Sequence, residues 1–280
     1  MGMRFQVLGP LRAWREEREL ALGPPKQRMV LGALLLNPCG RVGTGEISAL
    51  LWGESPPPTA VNTVQTYVKR LRGLLQPERP ARTTAGSMLR RVHGGYSLML
   101  DADSLDLLRF RHLLSTAKLE GSGAVPAEAL TMFHGLPLAD LSDYPRTEAN
   151  LAAVEQELIT AMVAAARTPD RHDRAALITG LEVMVRHHPL NEPLHAALMR
   201  VYSHGGRQAE ALVVFDQIRR RLGDELGADP GEELRRANLA ALTRGPVVAS
   251  AGSRPEFAEI LAALVDASER ALAYLDDRAS

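Results

Sequence analysis

Apolar and polar residues alternate at the start of the chain. In RFQVLGPLRAW, Phe5, Val7 and Leu11 share one side of an extended segment interrupted by Gly9-Pro10. A second short strand, ELALG, follows the charged turn at 15–18. Period two over short pieces with a polar turn predicts a β-hairpin. The period then lengthens. Pro24 and Pro25 open PPKQRMVLGALLLN, where Leu31, Leu34 and Leu35 give a helical apolar face that Pro38 and Gly40 end. Thr44 caps a short helix, GEISALLW, which Gly53 and the prolines 56–58 stop. A longer helix starts near Thr59, and SMLRRVHGGYSLML reads as a second hairpin turning at Gly94-Gly95. From Asp101 the strand pattern stops. Asp103 or Ser104 is placed to cap LDLLRFRHLLSTAK, and helices follow at about 126–134, 146–167, 173–187, 191–204, 207–226 and 230–243. Antiparallel helix pairs with short turns predict an α-solenoid. Residues 245–254 read as a linker, and 255–276 as an amphipathic helix with Phe257, Leu261, Leu264 and Leu272 on one stripe.

The helix TAVNTVQTYVKRLRGLL, residues 59–75, has two unlike sides. At a helical step, Val61, Val64, Val68, Leu71 and Leu75 form a narrow apolar stripe. The opposite side carries Asn62, Thr63, Thr66, Lys69, Arg70 and Gly73, while Gln65 and Arg72 fall nearer the apolar edge. No acid occurs from Thr59 to Gln76. A solvated face usually mixes signs, because opposite charges four residues apart help a helix and like charges hurt it. Amides can bond adenine edges, Arg and Lys guanine, and Thr can meet a thymine methyl. An amide, hydroxyl and cation face without acids therefore suits a DNA groove better than water.

Charge sharpens this. The whole chain balances at 33 basic and 33 acidic residues, which alone argues against nucleic acid. Residues 1–100, however, hold 14 Lys and Arg against 6 Asp and Glu. A basic module for an anionic partner is thus joined to an acidic remainder. A short helix, a turn, a basic helix and a Gly-tipped basic hairpin follow winged helix–turn–helix order, with the second helix entering the major groove. Arg90, Arg91 and His93 on the hairpin are candidates for phosphate or minor-groove contact, or for an ordinary exposed strand. Lys26, Gln27 and Arg28 open the first long helix, where free backbone N–H groups favour phosphate. Arg28 has a structural ion pair as its alternative.

No chemistry of another kind stands out. The single cysteine, Cys39, excludes an internal disulfide and fits a reducing cytoplasm. It is expected as a small buried hydrophobe in an apolar helical run. No run approaches the length of a membrane span. The eight histidines lack metal-ligand spacing, and the pair His187-His188 precedes Pro189, where it suits a helix end. No nucleophile elbow, H-E-x-x-H or Gly-rich phosphate loop appears, so neither enzyme activity, cofactor nor metal is expected.

In the acidic part, Leu198, Tyr202, Gly206, Ala211 and Phe215 fit one tetratricopeptide-type helix pair. This spacing describes a scaffold.

The strand pair, three helices and hairpin resemble an OmpR/PhoB-type effector domain. NTVQTYVKRLRGLL is similar to its recognition helix and VHGGYSL to its wing, with His93 in place of an arginine and one residue fewer between the glycines. By position, the resemblance implies base contacts from Gln65, Thr66 and Arg70. It gives Asn62, Thr63, Tyr67 and Arg72 phosphate or orienting roles, and Lys69 either. PLAD at 137–140, HHPLNEPLHAALM at 187–199 and GGRQAEALVVFDQIRRRLGDELGADPGEEL at 205–234 resemble a bacterial transcriptional activation domain. LGPLRAW, LALGPPKQRMVLGALLL and LLWGESPP point the same way. The order resembles the Streptomyces antibiotic regulatory protein family of actinobacteria, over about residues 4–243. FHGLPL departs where a tryptophan is usual, and the loop 168–173 replaces a short Gly-Arg turn. Larger members continue into an ATPase module, whose phosphate loop is not in this sequence.

The expected fold is α+β and mostly α. A winged helix–turn–helix at 1–100 precedes a tetratricopeptide-like helical domain at 101–245, then the linker and helix of 246–280. The resemblance implies a cytoplasmic activator that binds double-stranded DNA as two copies on direct repeats near the promoter −35 region. It also implies recruitment of RNA polymerase holoenzyme, through sigma factor and alpha subunit, to antibiotic biosynthesis genes. Two other readings stay open: an adaptor whose winged helix binds protein, and a small-molecule sensor in the acidic half.

Overall fold

The computed structural model describes residues 2–77, 87–121, 124–141, 145 and 149–243. The expected linker and helix of 246–280 lie outside them, as do 146–148 of the expected sixth helix.

The N-terminal alternation forms a three-stranded antiparallel sheet: β1 (Met3–Gln6), β2 (Arg12–Arg15) and β3 (Arg18–Glu19). It divides differently from the expected hairpin. The chain reverses between Val7 and Leu11, so that Phe5 pairs with Ala13. RFQVLGPLRAW thus supplies two strands, and ELALG supplies only Glu19 to the third. Gly9 is needed there because a Cβ would lie 2.8 Å from the Cβ of His134.

Helix α1 (Pro25–Leu36) starts on proline, whose missing N–H costs nothing in the first turn. Its expected single apolar face understates its burial. Met29 through Leu36 are all buried, because α1 packs against helices from both halves of the chain. Cys39 lies past the end of α1, exposed and at φ 61, so it is not the buried helical residue expected. Strand β4 (Val42–Gly43) leads into α2 (Thr44–Trp52) and α3 (Ala60–Leu75). Gly43, rather than Thr44, is the N-cap of α2, and Glu46 reaches back to accept the Gly43 N–H at 3.1 Å.

A hairpin follows, of β5 (Leu89–Val92) and β6 (Gly95–Leu98), in a sheet of order β4-β6-β5. Val92 pairs with Gly95, so the turn is His93-Gly94 rather than Gly94-Gly95. Gly94 takes φ +73, a conformation that favours glycine. Gly95 lies so close to β4 that a Cβ would sit 2.1 Å from the Val42 carbonyl oxygen.

The rest is helical: α4 (Asp106–Leu119), α5 (Ala127–Thr131), α6 (Ala149–Ala165), α7 (Arg174–His187), α8 (Glu192–His204), α9 (Gln208–Leu226) and α10 (Glu232–Thr243). Asp173 caps α7 and Asn191 caps α8 through side-chain oxygens. Helix α8 packs against α7, α9 and α10, burying Leu198, Tyr202 and Ala211 as the repeat spacing implies. The fold is mostly helical α+β, and no helix among the described residues is long and apolar enough to cross a membrane.

The two halves share one core within a compact unit, residues 1–243. Neither Asp103 nor Ser104 caps α4; they lie in a short 3-10 turn, and Leu105 is the N-cap. Asp106 instead accepts the N–H groups of Val7, Leu8 and Leu107 at 2.8–3.0 Å, holding the end of β1 to the start of α4. Burial pushes its carboxyl up to about 6, against the pull of those N–H groups. Asp140 accepts the Leu11 N–H and pairs with Arg28, and His134 and Leu138 donate to the Leu8 and Val7 carbonyls. The reversal from Val7 to Leu11 is thereby gripped by the helical half.

Candidate nucleic-acid interface

Helix α3 buries Ala60, Val64, Val68, Leu71 and Leu75. Val61, expected in that stripe, is instead 51% exposed. Ala60 occupies the inward position one residue earlier, and Val61 then lies roughly 60° from the centre of the buried arc. The exposed side forms two rows at four-residue spacing, Val61–Gln65–Lys69 and Asn62–Thr66–Arg70. Thr63 and Tyr67 border them, half-buried. The Thr66 hydroxyl donates to the Asn62 carbonyl at 2.9 Å, and that of Thr63 to the Thr59 carbonyl at 3.0 Å. Their hydroxyl protons are thus committed to the helix itself. Among the described residues, Lys69 and Arg70 make no ion pair, and the Asn62 and Gln65 amides make no hydrogen bond.

The C-terminal part of α3 is tethered. Arg72 Nε donates to the Leu89 carbonyl at 3.0 Å, Gln76 Oε1 accepts the Met88 N–H at 2.9 Å, and Arg15 donates to the Leu74 carbonyl. Arg72, half-buried between helix and hairpin, is placed to orient rather than to read. In the hairpin, Arg90 is exposed but folds back onto the Ser87 carbonyl at 3.1 Å, while Arg91 and His93 are exposed near the tip. Arg41 carries no local signal in the sequence. Its guanidinium comes within 3.3 Å of where a Cβ on Gly94 would lie, and it is only 3.9 Å from the Glu46 carboxylate. The pairing of Val42 with Tyr96 brings it there, a long-range contact that no local pattern announces.

The start of α1 departs from expectation. Gln27 is buried, and its amide donates to the Leu22 carbonyl at 2.9 Å, so it cannot reach a phosphate. Arg28 pairs with Asp140 and donates to the Leu11 carbonyl at 3.2 Å, which is the structural alternative weighed for it. Lys26 remains half-buried over the Trp52 ring, 4.9 Å from its centroid. The cause is shared: α1 is a core helix, and its first turn is packed on two sides.

The arginines of α9 and α10 are arranged otherwise. On α9, Arg219 and Arg220 both pair with Asp216, and Arg221 pairs with Glu225. On α10, Arg235 and Arg236 both pair with Glu232.

Folding also assembles a group that sequence spacing hides. Glu155 of α6 meets His187 and His188, with ligand atoms within 4.8 Å of one another. His188 Nε2 is 3.6 Å from the buried Glu155 carboxylate. Burial lowers the His188 pKa, with Glu155 opposing and His187 adding to the shift. An apolar groove between α4 and α6, lined in part by Leu114, Ala117, Val125, Ala161 and Ala164, bears on the small-molecule reading. Lys118 and Glu157 also line it, and Glu157 is already paired with Arg111.

Residues 105–242 match the model of the bacterial transcriptional activator domain. The chain is 37% identical over 257 residues to the regulatory protein AfsR of Streptomyces coelicolor, covering 88% of this chain and 25% of that one. It thus spans about a quarter of AfsR. It is 31% identical over 288 residues to the transcriptional regulatory protein EmbR of Mycobacterium tuberculosis, covering 99% of this chain and 74% of that one. The solved structure of M. tuberculosis EmbR in complex with a low affinity phosphopeptide superposes with a TM-score of 0.63 at 31% identity, over 88% of this chain and 66% of that chain.

Proposed function

The chain belongs to the Streptomyces antibiotic regulatory protein family of transcriptional activators, and from that premise we propose that it binds promoter DNA through α3 in a winged helix–turn–helix and recruits RNA polymerase. One observation carries the reading. The exposed face of α3 presents cations, amides and threonine methyls without an acid, and its Lys69 and Arg70 are unpaired among the described residues. Every Arg cited on α9 and α10 has an acidic partner.

In this reading Gln65, Thr66, Lys69 and Arg70 contact base edges in the major groove. Asn62, Thr63 and Tyr67 flank them toward the backbone, and Arg72 holds the helix to the hairpin. Arg91 and His93 at the tip, with Arg41 beside them, meet phosphate or the adjacent minor groove. Lys26 adds one phosphate contact; Gln27 and Arg28 are removed from the DNA set. The joint through Asp106 and Asp140 fixes the reading helix relative to the helical half. Two copies side by side on direct repeats near the −35 region then present their helical domains to the sigma factor and alpha subunit of the holoenzyme. The target genes are those of antibiotic or other secondary-metabolite biosynthesis, and the protein acts on them without catalysis.

The test is footprinting of the full chain on promoter fragments, with and without holoenzyme. Protection of a direct repeat that extends downstream when polymerase is added supports the reading. Protection that is absent, or that does not distinguish promoter from random DNA, contradicts it.

A further inference from the structure

One residue on the outer side of α3 has no polar group to offer. We propose that Val61 is a base-reading residue that packs against the C5-methyl of a thymine and so sets a preference for T at one operator position. The inference deepens the DNA-reading role of α3 and rests on it.

A single exposed hydrophobe is ordinary on a protein surface. Val61 is set apart by its position. It heads the row that continues through Gln65 and Lys69, and it neighbours Asn62 in the second row. It is 51% exposed in the first turn, beyond the reach of the core that takes Ala60 and Val64. In helix–turn–helix recognition the N-terminal residues of the second helix are those that meet base edges. Valine is also a poor choice for a solvated helix position, because its branched side chain loses rotamer freedom there. That same stiffness is useful on a reading face, since little entropy remains to be lost on packing. With no donor or acceptor, the major-groove feature Val61 can prefer is the thymine methyl. Gln65, one turn on, then addresses the neighbouring base with its free amide.

The test uses the full chain and a duplex enriched by that chain from random sequence. Each thymine of the bound site is replaced in turn by uracil, which removes only the methyl. At one thymine the replacement should lower wild-type affinity about fourfold, the effect of burying one methyl-sized group. Val61→Ala should lower affinity for the unmodified duplex by a similar factor. It should also lose its response to uracil at that position while keeping any response elsewhere. An unchanged melting temperature for Val61→Ala shows that the helix is intact. The proposal is overturned if Val61→Ala binds like wild type, or if it keeps the full uracil response at every position. Failure to enrich any duplex overturns the DNA-reading role of α3 itself, and this inference with it.

Discussion

Two exposed helical surfaces of this protein carry arginine, and they treat its charge in opposite ways. On α9 and α10 the guanidinium groups sit three or four residues from acids. Hydrogen bonds from Arg219 and Arg236 hold the carboxyls of Asp216 and Glu232 below the usual carboxylate range. On α3 no acid is within reach along the helix, and Lys69 and Arg70 face outward alone among the described residues. Pairing at such spacing is worth only a few tenths of a kcal/mol to a helix. The difference is therefore small in stability: one surface neutralises its arginines within the protein, and the other leaves Lys69 and Arg70 without a counter-charge among the described residues.

The most direct way to break this contrast is to give α3 what α9 has. Thr66→Glu places an acid four residues before Arg70. Stability should rise by about 0.3–0.5 kcal/mol or stay level. DNA affinity should fall by several kcal/mol, because a carboxylate then enters the anionic major groove in place of a base-contacting threonine and occupies Arg70. Urea melts and fluorescence anisotropy measure the two effects, and a parallel loss of both would remove the contrast.

The joint between the two regions gives the next effect. Burial raises Asp106 from 3.8 to about 6, so the folded chain holds a proton that the unfolded chain releases. The cost of ionising it is absent below about pH 4 and complete above about pH 6, and amounts to about 3 kcal/mol. Wild-type stability relative to Asp106→Asn should therefore fall by that amount from pH 4 to pH 7. Urea titrations of both proteins at the two ends check this, and a flat difference would mean that the Val7 and Leu8 N–H groups fully offset burial.

Arg70→Ala should cost on the order of 1–3 kcal/mol on a selected site and relax one base preference. Lys26→Ala should weaken all duplexes about equally and flatten the salt slope by about one unit. Competition assays across a salt series separate selective from uniform loss. The smallest effect belongs to the paired surface: Asp216→Ala frees Arg219 and Arg220, should cost less than about 1 kcal/mol of stability, and should leave DNA affinity unchanged.

Much of the architecture could be read from local patterns. The helices after Asp101 announce themselves by period and by caps such as Asp173 and Asn191. The departures occur where long-range packing decides. Val61 sits within the apolar stripe on a helical wheel, but Ala60 takes the inward place once α3 meets the core. Gln27 and Arg28 look like a cationic helix start until Leu22, Leu11 and Asp140 close over them. Arg41 reaches the hairpin tip only because β4 pairs with β6. For the interface, the chemistry of α3 was legible because an acid-free face is a local property. Which cations elsewhere stay free depends on folding and was not.

The central claim is that the unpaired face of α3, and not exposed arginine in general, binds DNA. Anisotropy of the Arg70→Ala and Arg220→Ala variants of the chain, on one selected duplex and its scrambled counterpart, tests it most directly. The expected result is a loss of about tenfold or more on the selected duplex for Arg70→Ala, with Arg220→Ala indistinguishable from wild type. Equal losses for the two variants, or no preference of wild type for the selected duplex, would contradict it.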